Sequence, residues 1–213
     1  MNALTILVTG FGPFPGAPFN PTGHLIARLA RLRRPALANV TIIPHVFQTS
    51  YAAVDRDLPR LLAKHRPDAL LMFGLAPRAK ALRIETRSRN ASGSFPDASG
   101  RALHGRQIRV DGPPDLALPQ GRKLLAAARS IKVPATLSRD AGRYLCNYLC
   151  WRASEAAMEN CPRLAVFVHV PPVTRKVLRP SKKHRASLDD LSRAADCFLL
   201  ATTTIARRMR RHF

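Results

Sequence analysis

Leu4-Thr-Ile-Leu-Val8, running straight into Thr9-Gly10-Phe11-Gly12-Pro13-Phe14-Pro15-Gly16, decides how the rest of the chain is read. A short aliphatic and β-branched run of this kind is a buried strand. Asn20-Pro21 then opens a helix, with asparagine at the cap and proline in the first turn. Leu25, Ile26, Leu29 and Leu32 recur behind it at helical spacing. Val40 to Ile43 reads as a second strand, Thr49 or Ser50 caps a helix through about Lys64, and Ala69-Leu-Leu-Met-Phe73 is a third strand ending at Gly74. Strands that alternate with helices build a largely parallel sheet.

The pattern continues with a short strand holding Glu85 in Leu82-Arg-Ile-Glu85, a weakly helical Leu116 to Ala128 and a strand from Ile131 to Thr136. A helix follows from Cys146 to about Met158, then a strand from Leu164 to Val170. A last helix runs from the capping pattern Ser187-Leu-Asp-Asp190 to about Met209. Ala91 to Pro114 is rich in Ser, Gly, Asp and Pro and lacks periodicity, as expected of a functional lid, a subunit-contact arm or a disordered segment. The predicted architecture is a single three-layer α/β domain over 1–213, its central, mostly parallel mixed sheet flanked by helices.

Composition narrows the function. A chain of 213 residues, 46% hydrophobic, is expected to bury a proper core. It has no apolar run of membrane-spanning length and no leader-like N-terminus, so a cytoplasmic protein is expected. Four cysteines (Cys146, Cys150, Cys161 and Cys197) have neither the density of a disulfide scaffold nor paired C-x-x-C spacing, and no metal is expected. Lys and Arg total 35 against 13 acids, a net charge of +22. Such a surface attracts polyanions. The arginines are nevertheless spread from Arg28 to Arg211, and the two densest clusters, Arg175 to Arg185 and Arg207 to His212, carry no interleaved aromatics for stacking bases. A solvated surface without a nucleic-acid role is the expectation.

Two stretches carry chemistry. In Ser138-Arg-Asp-Ala-Gly-Arg-Tyr-Leu-Cys146-Asn147-Tyr-Leu-Cys150, a polar turn enters an apolar helix with Cys146 near its start, where orphan amides and the positive dipole end stabilise a thiolate. In Val166-Phe-Val-His169-Val-Pro171-Pro172 a buried strand ends on an imidazole. A cysteine nucleophile needs such a base and a third group to orient it. Glu85, one of few acids in a basic neighbourhood, is the candidate, although alone it reads as an ion-pair partner of Arg83 or Arg87. The glycines of the first loop do not make a dinucleotide fingerprint, because Pro15 stands where the third glycine belongs. Phe11 and Phe14 instead form an apolar clamp at the carboxyl end of a strand, where open α/β sheets bind ligands.

Together these motifs resemble the pyroglutamyl peptidase I family of cysteine peptidases. Val8-Thr-Gly-Phe-Gly-Pro-Phe14 is similar to its V-T-G-F-x-P-F opening, and Asn20-Pro21 follows. Glu85 and Asn90 match E-x-x-x-x-N, Ser138 to Asn147 matches S-x-x-A-G-x-[FY]-x-C-N, and Val168-His169-Val-Pro171 looks like I-H-[VL]-P. The resemblance implies Cys146 as nucleophile, His169 as general base and acid, and Glu85 as its orienting group. It further implies peptides with N-terminal pyroglutamate as substrates, a lactam pocket formed by Phe11, Phe14, Asn20 and Leu75, no cofactor, and a homo-oligomer, tetramer or dimer.

The chain also departs from the family. Many members have Gly-Gln-Ala-Gly-Gly-Arg where it has Gly74-Leu75-Ala76-Pro77-Arg78. After the asparagine it reads Ala91-Ser-Gly-Ser-Phe95-Pro-Asp97, without the arginine many members carry there. The departures define two further readings, a relative with the same triad acting on another small amide or lactam, and a basic-surface binding protein.

Overall fold

A computed structural model describes residues 3–14, 16–103, 105–173 and 186–211. The elements in chain order are β1 (Leu4–Phe11), α1 (Pro21–Arg31), β2 (Val40–Phe47), α2 (Tyr51–His65), β3 (Ala69–Leu75), β4 (Leu82–Glu85), β5 (Arg87–Arg89), β6 (Asp115–Ala117), α3 (Gly121–Ser130), β7 (Ala135–Ser138), α4 (Leu145–Met158), β8 (Leu164–Val170) and α5 (Leu188–Arg211). Six strands form one sheet in the order β2-β1-β3-β8-β4-β7, and β5 pairs with β6 in a separate two-stranded ribbon. β2, β1, β3 and β8 are mutually parallel; β4 runs antiparallel to β8 and carries β7 parallel to itself. The expected α/β class and mostly parallel mixed sheet are what the chain forms.

The strand pleat sorts side chains to two helical layers. On one face Ile6, Val8, Leu71, Phe73, Val166 and Val168 pack against α1, α3 and α5. On the other, Leu7, Leu70, Met72 and Phe167 pack against α2 and α4. β3 and β8 are covered on both faces and therefore read as near-continuous apolar runs, broken in β8 only at His169. β2 lies at the edge, where Pro44 removes a donor at little cost. Arg28 on α1 grips Asp196 on α5 through two parallel bonds of 2.9 and 2.7 Å, joining two helices of one layer.

Several boundaries moved. Leu116 to Ala128 divides into strand β6 and helix α3, because the chain turns at Pro119-Gln120 before Gly121 starts the helix. The strand expected at Ile131 begins instead at Ala135, since residues 131–133 terminate α3. Lys132 adopts a left-handed φ of 57° and Val133 N returns to Ala128 O at 3.2 Å. The stretch from Ala91 to Pro114 is laid against the body rather than left free. Asn90 accepts from the Ile108 and Arg109 amides and donates to the Arg109 and Gly112 carbonyls. The basic cluster Arg175 to Arg185 lies outside the described residues. Within the other cluster, Arg207 donates to the carbonyls of Ala36 and Ala38 and so packs the end of α5.

Candidate active site

The carboxyl ends of β1, β3 and β8 and the start of α4 surround a cavity of about 470 Å³. A larger cleft of about 650 Å³ near Arg33 and Thr41 gathers no thiol or imidazole. The chemistry belongs to the first.

Cys146 is the second residue of α4. The cap residue Tyr144 has extended backbone and makes no side-chain cap bond. The first-turn amides, Cys146's own included, have no intrahelical acceptor, and they concentrate the positive end of the helix dipole beside the sulfur. Cys150, one turn further on, is wholly buried. Burial, then the charges of Glu85 and Cys146, push its thiol well up, so it stays protonated and inert.

His169 lies near the end of β8, in register with Gly74 of β3 and opposite Arg83 of β4. Its ring is 5% exposed, and Nδ1 is 2.8 Å from Glu85 Oε1, itself at 2% exposure. With Nδ1 committed to the carboxylate, Nε2 is left for the Cys146 thiol, which lines the same cavity. Burial alone would lower the imidazole's affinity for a proton. The Cys146 charge and hydrogen bond, with those of Glu85, outweigh it and raise the pKa to about 9. Arg83 Nε stands 3.7 Å from the same Glu85 oxygen. Glu85 Oε2 is buried with no hydrogen-bond partner among the described residues.

The four residues expected at the lactam pocket all line the cavity. Phe11 is 2% exposed and rests on Phe47, its ring centroid 5.9 Å away. Phe14 and Leu75 are half-buried on the wall. The Asn20 side chain works inward, accepting from Thr22 N at 3.1 Å and Thr22 Oγ1 at 2.9 Å and donating to Gly12 O at 3.1 Å. It caps α1 and fixes the loop that carries the phenylalanines. Glu85 stands behind His169 rather than on the cavity surface.

Sequence reasoning missed residues that hold this arrangement. Asn147, fully buried, accepts from Arg89 N and donates to the carbonyls of Arg89 and Ala91, tying the start of α4 to β5. Its place directly after the cysteine was the available signal. Arg83 was seen as an ion-pair partner but not as a cavity residue. Gly74 was seen as a strand end but not as the floor beneath the thiol. Among the described residues no group of three His, Cys, Asp or Glu side chains gathers to hold a metal, and no helix is long and apolar enough to cross a membrane.

A helix-borne thiol, a sheet-borne imidazole and a buried carboxylate, met at the carboxyl edge of a mostly parallel sheet, have the components of an α/β cysteine hydrolase. Comparison with known proteins narrows the class. The family described as pyroglutamyl peptidase matches residues 4–207, and the chain belongs to it. The pyrrolidone-carboxylate peptidase of Streptococcus suis is 32% identical over 197 residues, covering 91% of this chain and 89% of that protein. That of Pyrococcus furiosus is 29% identical over 180 residues, covering 82% and 84%. The solved pyrrolidone carboxyl peptidase of Thermococcus litoralis superposes with a TM-score of 0.86 at 25% identity, over 96% of each chain.

Proposed function

We propose that the chain hydrolyses the amide bond after an N-terminal pyroglutamyl residue, with Cys146 as nucleophile, His169 as base and acid, and Glu85 as orienting group. The observation that carries the reading is the buried 2.8 Å bond from His169 to Glu85 at a cavity that Cys146 shares with Phe11, Phe14 and Leu75. His169 takes the thiol proton, and the sulfur attacks the pyroglutamyl carbonyl. First-turn amides of α4 are the nearest fixed dipoles for the oxyanion that forms. Collapse breaks the C–N bond as the imidazolium gives its proton to the leaving amine. A water, deprotonated by His169, then opens the thioester, returning the thiol and free pyroglutamate. A flat, uncharged lactam suits apolar walls with few polar contacts. Phe14 and Leu75 hold it directly, while Phe11 and Asn20 shape the loop behind.

The test is turnover of a fluorogenic pyroglutamyl amide beside Cys146→Ala and His169→Ala. Turnover lost in both variants supports the reading. A silent wild type whose Cys146 still reacts rapidly with iodoacetamide means a working thiol for another small amide or lactam, and an unreactive Cys146 sinks the enzyme assignment.

We also propose a single domain acting in the cytoplasm as a homo-oligomer, dimer or tetramer. Phe95 and Val110, 72% and 80% exposed on the long loop, support a subunit contact there. Light scattering that returns a monomer of 23.5 kDa would remove the oligomer.

A further inference from the structure

We propose that Arg83 is a specificity-determining residue whose guanidinium, fixed in the cavity wall beside His169, selects peptides with a carboxylate side chain immediately after the pyroglutamyl residue. The inference rests on the pyroglutamyl reading and adds the chemistry of its leaving side.

Arg83 and Glu85 are two apart on β4 and so share a face. Arg83 is the direct antiparallel partner of His169, which puts the two Cβ atoms about 5 Å apart on that face. Glu85, one pleat along, reaches the imidazole from behind. Arg83 therefore stands level with the ring and lines the cavity, which Glu85 does not. Its guanidinium is held in place: Nη2 donates to Ser138 Oγ at 2.7 Å and Asp140 O at 2.6 Å, on the turn that leads to α4. Nε is spent near Glu85 Oε1, an oxygen already taken by His169. Nη1 makes none of these bonds, and the side chain keeps 36% of its exposure.

The position of the substrate follows from the proton transfer. His169 must reach the leaving nitrogen, so the first residue of the departing peptide lies against the wall next to the ring. Phe14 and Leu75 are left to the lactam. The charges around that wall favour an anion. Arg78 adds a second cation at the rim. Asp140 is the opposing acid, but its Oδ1 takes the Gly142 amide at 3.0 Å and its Oδ2 lies 3.8 Å from Arg89 Nη1. A pre-positioned guanidinium loses little freedom on pairing with a carboxylate.

The experiment compares two isosteric ligands, pyroglutamyl-glutamate α-amide and pyroglutamyl-glutamine α-amide, by calorimetric binding to the Cys146→Ala protein. The acidic ligand is expected to bind on the order of tenfold more tightly at low salt. The ratio should collapse toward one when Arg83→Gln is added and recover in part with Arg83→Lys. A change in fold or in triad alignment moves both ligands together and leaves the ratio alone. Parity in Cys146→Ala, a preference that survives Arg83→Gln, or no binding of either ligand overturns the inference. Turnover of the glutamine ligand by the wild-type chain judges the pyroglutamyl reading separately.

Discussion

A Cβ placed on Gly74 would stand 2.7 Å from Cys146 Sγ. It would also meet Phe167 Cζ at 2.9 Å, an aromatic ring fully buried between sheet and helix. Gly74 is the register partner of His169, so the missing side chain opens room for the thiol directly beside the imidazole. Gly74→Ala is therefore expected to push the sulfur off the imidazole. The overpacking costs about 1–3 kcal/mol of stability. Iodoacetamide labelling of Cys146 should slow markedly, and turnover of a pyroglutamyl amide should fall about 100-fold. Unchanged labelling and turnover would show that the strand yields instead.

Glu85→Gln keeps the shape of the group bonded to His169 Nδ1 and removes its charge. Because Glu85 helps raise the His169 pKa, the ring's proton should be lost at lower pH in the variant. If the imidazolium is the acid that protonates the leaving amine, the alkaline limb of kcat/KM moves down from its wild-type position near pH 9. The rate itself should fall about 100-fold or more, as the amide can hold the wrong imidazole tautomer. A pH–rate profile of both proteins checks the shift. A lower rate with an unmoved limb would mean that Glu85 acts on something other than His169.

The same proton couples activity to stability. Between the ordinary value of 6.5 and about 9 the folded chain holds a proton on His169 that the unfolded chain has lost. Folding takes up a proton in that window, so this contribution is full below pH 6.5 and drains away as pH rises to 9. Cys146→Ala removes the partner that raises the pKa most, which shortens the window from its upper end. Melting temperatures across pH 6 to 10 should fall less steeply for Cys146→Ala than for wild type. Parallel curves would contradict the pairing.

The strands were legible wherever burial on both faces left a near-continuous apolar run, as in Ala69–Leu75 and Leu164–Val170. The residues proposed for catalysis were marked by their motifs, with Cys146 at a helix start and His169 near a strand end. What escaped was set by tertiary contact. The start of α3 depends on Gly121, where a Cβ would meet Thr86 Cγ2 at 2.9 Å, and no local propensity announces that approach. Arg83 looked like any surface arginine until the antiparallel β4 brought it opposite His169. A strand order that inserts β8 between β3 and β4 cannot be read from local spacing.

The long loop was also illegible, because single polar side chains rather than a periodic face hold it. Asp97, 6% exposed, is one of these fastenings. Its Oδ2 accepts from Tyr51 N, the first amide of α2, at 2.9 Å. Its Oδ1 accepts from Ser99 N, Ser99 Oγ and Arg101 N at 2.9, 2.6 and 3.0 Å. Burial raises the Asp97 pKa, but these bonds outweigh it and the group ends below its ordinary value. Its stabilisation is thus present above the usual carboxylate range and lost as pH falls below it. Asp97→Ala leaves the buried Tyr51 amide and the loop amides of Ser99 and Arg101 without their acceptor and should cost about 3 kcal/mol. Trypsin, given exposed Arg101 and Arg106 on this loop, should then cut Asp97→Ala much faster than wild type, with Asp97→Asn between them. Wild-type resistance in Asp97→Ala would mean that Asn90 and Asn147 hold the loop without it.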